Sequence, residues 1–74
     1  MFIKLCDCKI AEFYFIDHII GLNKCRMLEL GFIRNKKIII ISKLSEHGPF
    51  LISLDRDLFS LQYEESKNIF LRKK

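Results

Sequence analysis

Cys6, Cys8, Cys25 and His18 are the residues of this chain whose chemistry could hold a metal. Cys6 and Cys8 stand two apart, so an extended strand would turn both sulfurs to one face. With Cys25 and His18 they could complete the soft four-ligand set that zinc takes. A Cys-x-Cys pair alone does not specify such a site. It lacks a second pair at comparable spacing, and free cysteine commonly serves as a small buried hydrophobe. The reading is therefore no bound metal and no cofactor, with the thiols of Cys6, Cys8 and Cys25 reduced. Three is an odd count, which leaves one cysteine unpaired in any disulfide scheme and fits a reducing compartment.

Catalysis is poorly supplied. The chain has no Gly-x-Ser-x-Gly elbow, no phosphate-cradling glycine loop and no His-Glu-x-x-His helix. His18 and His47 fall on a strand and in a loop, with no nucleophile at a suggestive spacing. Glu64 and Glu65 are a carboxylate pair, but adjacent helical residues do not face each other. No enzyme activity is expected.

Nucleic-acid binding has more material. Arg34, Lys36 and Lys37 cluster at one turn, and phosphate contact needs such a patch. Small barrels stack single-stranded bases on aromatic side chains, which Phe13 and Phe15 could offer. Glu12, Asp17, Glu29 and Asp55 are dispersed among the basic residues, so the surface reads as mixed and solvated. An RNA-binding small barrel is the rival reading, and no nucleic-acid partner is expected.

These side chains must be positioned by a single domain, residues 1–74, because the chain has only 74 residues. A chain this short buries roughly 60% of its unfolded surface, so its core must be dense. Half of the residues are hydrophobic, 50%, and the aromatic set is mostly phenylalanine, which supplies that core. The start, Met1-Phe2-Ile3-Lys4, lacks a basic region followed by an apolar one. Glu12, Asp17 and His18 interrupt the longest apolar stretch, so no run approaches the roughly 18–20 residues that span a bilayer. A cytoplasmic protein without membrane insertion is expected. The formal net charge is +4. Much of the excess sits at residues 72–74, Arg-Lys-Lys, which read as a solvated, frayed tail.

Glycines at 21, 31 and 48 punctuate the chain into strands, with one helical exception. Residues 12–19, rich in aromatic and β-branched side chains, form the first strand. Cys25-Arg-Met-Leu-Glu-Leu-Gly31-Phe32 reads as a short helix over 24–30 that stops on a glycine. Asn23 can cap its start through its side-chain oxygen. Gly31 can close its end in the left-handed conformation, and Phe32 returns to the core. Leu28 is the helix residue expected in the core, with Arg26, Met27 and Glu29 on other sides. Asn35 supplies a turn before a long strand over 37–44. Strands follow at 50–54, at 58–62 after a tight Asp55-Arg56-Asp57 hairpin, and at 68–71 after one turn at 64–66. About five short strands with one inserted helix suggest an all-β, closed or half-open barrel.

Period-two alternation then sorts the side chains. Tyr14, Ile16, Ile38, Ile40, Phe50, Ile52, Leu54, Phe59, Leu61, Ile69 and Leu71 point inward. Phe13, Phe15, Ile39, Ile41, Leu51 and Phe70 point outward, more apolar surface than a solitary monomer usually exposes. Loops and the helix could cover Ile39 and Ile41. The remainder reads as a docking face, with Phe13 and Phe15 continued by Arg26 and Met27, since interface anchors tend to be aromatic residues, Met and Arg. A homo-oligomer could use the same patch.

Four stretches carry a likeness to known proteins. They are Leu5-Cys-Asp7-Cys-Lys9-Ile-Ala-Glu12, Arg26-Met-Leu-Glu-Leu-Gly31-Phe32, Gly48-Pro49-Phe50-Leu-Ile52, and Phe59-Ser-Leu61 with Glu65. In their order and spacing across residues 5–71 they resemble the FeoA family, small cytosolic partners of the bacterial ferrous-iron transporter FeoB. The chain departs from the family where Ile10-Ala11 and Arg34-Asn35 replace Pro-Gly turns and Arg56 replaces a hairpin glycine. The resemblance implies an SH3-like barrel without enzyme activity. It further implies a regulatory or assembly role in GTP-linked Fe(II) uptake, with the cytoplasmic side of the transporter as partner.

Overall fold

Period-two apolar runs become strands in the computed structural model, which describes residues 1–73. The elements are β1 (Ile3–Lys4), a 3₁₀ turn (Leu5–Asp7), β2 (Phe13–Ile19), α1 (Lys24–Glu29), β3 (Lys37–Lys43), β4 (Phe50–Leu54), β5 (Asp57–Leu61), α2 (Tyr63–Ser66) and β6 (Ile69–Arg72). All strands join one six-stranded antiparallel sheet in the order β1-β6-β2-β3-β4-β5. The sequence pattern foresaw every strand but β1. Two residues are too few for alternation to show, and Ile3 and Lys4 become a strand only because Leu71 and Phe70 lie opposite.

Two bulges bend the sheet around its core. The β2–β6 register slips between Ile16 and His18, and the β3–β4 register slips between Ile40 and Ser42. An extra residue on one strand increases local twist, which curls a flat ladder toward a barrel. Of the residues expected inward, Phe59 is half-buried and the others are buried. Leu5, Cys8, Met27 and Phe32 join them from the turns and α1. Each buried Ile, Leu or Phe side chain contributes about 1.5–3 kcal/mol relative to exposure. The core is continuous, so these contributions reinforce one another.

The helix corrects two expectations. The Asn23 side chain makes no capping bond; its backbone carbonyl instead accepts the Met27 N–H at 3.0 Å. At the other end Gly31 takes φ +105°. The Phe32 N–H then donates to the Met27 carbonyl at 3.0 Å, and the Gly31 N–H to the Leu28 carbonyl at 3.1 Å. That pairing is a Schellman closure, which brings the residue after the glycine against the helix residue five before it. Phe32 is that residue and Met27 its partner. Hence Met27 faces the core at 2% exposure, and Leu28 stands out at 40%.

The expected frayed tail is also corrected in part. Arg72 is the last residue of β6, opposite Phe15, and its guanidinium donates to Asn35 Oδ1. Lys73 pairs with Glu12. Lys74 lies outside the described residues.

Candidate interaction surface

β2 carries the sharpest surface feature. Because Tyr14 and Ile16 are buried, the pleat turns Phe13 and Phe15 to the opposite face, as the alternation required. Phe13 is 52% exposed and Phe15 half-buried. Lys37 Nζ sits 4.3 Å above the Phe13 ring, and the Arg72 guanidinium stands 6.0 Å from the Phe15 ring. Phe13, Phe15, Lys37 and Lys73 line an open depression of about 360 Å³. Exposed cation–π pairs of this kind contribute about 0.5–1 kcal/mol each. Lys37 and Arg72 thus help to hold the rings in place on the outer side of β2.

The apolar surface continues across the sheet. Phe13 lies opposite Ile39, Ile39 opposite Ser53, and Ser53 opposite Leu58. Adjacent partners in register sit about 4.5–5.5 Å apart, so these residues form one row over β2, β3, β4 and β5. Ile39 is half-buried, and Leu58 at 63% exposure ends the row. Ile39 is thus on the same face as Phe13, partly covered, while Ile41 is 41% exposed.

The other two residues assigned to this patch do not belong together with it. Met27 is in the core, for the helix-closure reason given above, so it is withdrawn as a surface residue. Arg26 is exposed on α1 but lines neither the depression nor its cation–π pairs.

The thiols are separated by the local backbone. Residues 5–7 form a 3₁₀ turn rather than an extended strand, so Cys6 is half-buried while Cys8 is buried. The Cys8 thiol donates to the Lys4 carbonyl at 3.4 Å. Burial pushes its pKa up to about 12, and burial followed by the Asp7 charge raises that of Cys6. Both therefore stay protonated at neutral pH, whereas nucleophiles and metal ligands need the thiolate. Cys25 is exposed on α1. Among the described residues no group of three or more His, Cys, Asp or Glu stands where it could share one ion.

Sequence reasoning missed one cluster. His18 stacks on Phe70 with ring centroids 4.6 Å apart and meets Phe2 edge-on at 5.1 Å. Its Nδ1 lies 2.6 Å from Asp17 Oδ2, and Arg34 and Arg72 approach the other carboxylate oxygen at 3.9 and 3.8 Å. The cluster depends on β1 docking beside β6 and on the bulge at Asp17, neither of which has a local sequence signal. It also takes up part of the basic turn. Arg34 faces Asp17, Lys36 pairs with Asp55 at 3.2 Å, and Lys37 lies over Phe13.

Residues 3–73 match a family model described as the FeoA domain. No match is found among curated proteins. Among solved structures, a crystal structure of an iron uptake regulatory protein (FeoA) superposes with a TM-score of 0.87 at 16% identity, covering 100% of this chain and 99% of that one. The FeoA protein of Chlorobium tepidum gives 0.85 at 17% identity, over 95% of this chain and 69% of that one. FeoA of Stenotrophomonas maltophilia, solved with zinc and described as a prokaryotic SH3 domain protein, gives 0.81 at 19% identity, over 93% and 88%. The fold is therefore an SH3-like β-barrel. No helix among the described residues is long and apolar enough to cross a membrane.

Proposed function

We propose a function from one established premise: the chain belongs to the FeoA family, which is linked to ferrous iron transport. It acts as a non-enzymatic accessory protein of bacterial ferrous iron uptake, working in the cytoplasm by binding the cytoplasmic part of a FeoB-type transporter. The observation that carries this reading is the exposed Phe13–Phe15 face with its attendant Lys37 and Arg72. Aromatic anchors flanked by cations are what protein interfaces use, and a face of this kind offers no group to transform a substrate.

Titration of the protein with the transporter's cytoplasmic portion tests the proposal. Binding should weaken by about tenfold or more on Phe13→Ser or Phe15→Ser, the loss of one well-seated anchor. It should change little with salt. Affinity for single-stranded RNA that falls steeply with salt, with none for the transporter portion, would replace this reading by the RNA-binding one.

A further inference from the structure

The two edges of the sheet are built differently. β1 is two residues long and passes straight into the 3₁₀ turn, so little of it is open to pairing. β5 is five residues long and pairs with β4 alone. Sheets usually blunt such an edge with lysine, proline or a bulge. β5 reads Asp-Leu-Phe-Ser-Leu and has neither lysine nor proline. The β2–β6 and β3–β4 ladders both slip register, whereas β4–β5 runs without a shift from Leu54↔Asp57 to Phe50↔Leu61.

The hairpin decides which backbone groups face outward. Its loop, Asp55-Arg56, is closed by the Leu54↔Asp57 pair, with Asp55 at φ +57°. A β-turn bonds the carbonyl of its first residue to the N–H of its fourth, which makes Leu54 and Asp57 a hydrogen-bonded pair. Antiparallel ladders alternate bonded and non-bonded pairs. Phe59 and Leu61 therefore bond to β4, and Leu58 and Ser60 turn N–H and C=O outward. No other backbone hydrogen bond among the described residues takes up those groups.

We propose that β5 pairs antiparallel with β5 of a second copy of this chain, about a two-fold axis at Phe59. The strand is complementary to itself in that register. Leu58 meets Ser60 of the partner subunit and Ser60 meets the partner's Leu58, which satisfies every outward group on both edges. Phe59, already edge-on to Phe32 at 5.1 Å, meets its own copy as an aromatic cross-strand pair. Asp57 falls opposite the partner's Leu61, so no like charges face each other. On the outer face the two Leu58 side chains become diagonal neighbours, and the apolar row from Phe13 runs on into the second subunit. A foreign strand would have to supply this match by chance; a second copy carries it by symmetry. Two five-residue strands bury less than the roughly 1,200–2,000 Å² of stable complexes, so the dimer dissociates on dilution.

Sedimentation equilibrium from about 20 μM to about 1 mM should show reversible dimerisation, a range set by the weak affinity such an edge gives. Amide exchange at Leu58 and Ser60 should slow as concentration rises. Leu58→Lys puts two charges beside the axis, and Ser60→Pro removes an outward N–H without touching the β4 ladder. Each should raise the dissociation constant by about tenfold or more while the circular dichroism of the domain is kept. If Ser60→Pro fails to fold, Leu58→Lys at its exposed position still decides the matter. A protein that stays monomeric at about 1 mM overturns the proposal. So does a dimer that tolerates Leu58→Lys with unchanged exchange at the two amides.

Discussion

Nε of Arg72 stands 3.8 Å from Oδ1 of Asp17, tying the last residue of β6 to the bulge of β2. The Asp17 side chain is only 11% exposed and also meets His18 and Arg34. It gathers three basic side chains where β2 leaves its register with β6. Asp17→Asn keeps the shape and removes the charge. The partners are partly solvated, so the loss should be about 1–2 kcal/mol, below that of a fully buried pair. Urea denaturation of the two proteins measures it, and an unchanged midpoint would show the cluster to be solvated ornament.

Two positions, Met27 on α1 and Phe13 on β2, should behave oppositely. Met27→Asp places a carboxylate against Phe32 in the core and should cost about 3 kcal/mol or more, from lost packing and from charge burial. Phe13→Ser, at 52% exposure, should stay within about 1 kcal/mol of the parent. Thermal melts of both variants separate core from surface directly. A folded, stable Met27→Asp protein would mean that the helix closes otherwise than through Phe32 and Met27.

That contrast also marks what the sequence could reveal. Strict alternation placed Tyr14, Ile16, Ile38, Ile40 and Ile52 inside because a strand has a fixed period and one slip would invert every residue. A six-residue helix has no room for a period, so the apparent core residue, Leu28, was off by one. The glycine at 31 held the missing information, since its closure fixes which residue meets Phe32. β1 and the Asp17–His18–Phe70 cluster had no local signal at all. They arise from strands far apart in sequence, and the bulge that aims Asp17 leaves no trace in composition. Of the four residues expected on one outward face, Phe13 and Phe15 lie on the outer side of β2 as alternation required, and Met27 is buried because the helix register was off by one.

Alkaline pH should expose the burial of Cys8. Its pKa is pushed up from 9.0 to about 12 in the folded protein, chiefly by burial. Below pH 9 the thiol is protonated in both folded and unfolded chains, and its contribution to stability is complete. As pH rises from 9 toward 12 the unfolded chain releases the proton first, so the folded state loses ground throughout that window. Cys8→Ala should start about 1 kcal/mol less stable at pH 7 and decline less steeply above pH 9. In the native protein at pH 8, Cys25 should react first with iodoacetamide, and Cys8 only when the chain unfolds. Equal rates for the two, or parallel alkaline slopes for parent and variant, would remove the buried-thiol account.

Ala11 offers a test of strain at the first turn. It adopts φ +68°, and its N–H donates to the Ile40 carbonyl at 2.7 Å, which locks the loop onto β3. A left-handed backbone costs an alanine about 1–2 kcal/mol, because its Cβ crowds the following carbonyl. Asn35 holds a similar φ of +74° at much lower cost, since asparagine tolerates that region, and its side chain accepts a bond from Arg72. Both residues take the left-handed region, but of the two Ala11 carries the greater strain. Ala11→Gly should therefore raise stability by about 0.5–1 kcal/mol, the relief exceeding glycine's extra unfolded-state freedom. Asn35→Gly relieves little and breaks the contact to Arg72, so it should be neutral or slightly destabilising. Denaturation midpoints that rise for Ala11→Gly but not for Asn35→Gly are the expected pattern. A drop on Ala11→Gly would show that the methyl group packs favourably enough to outweigh its backbone strain.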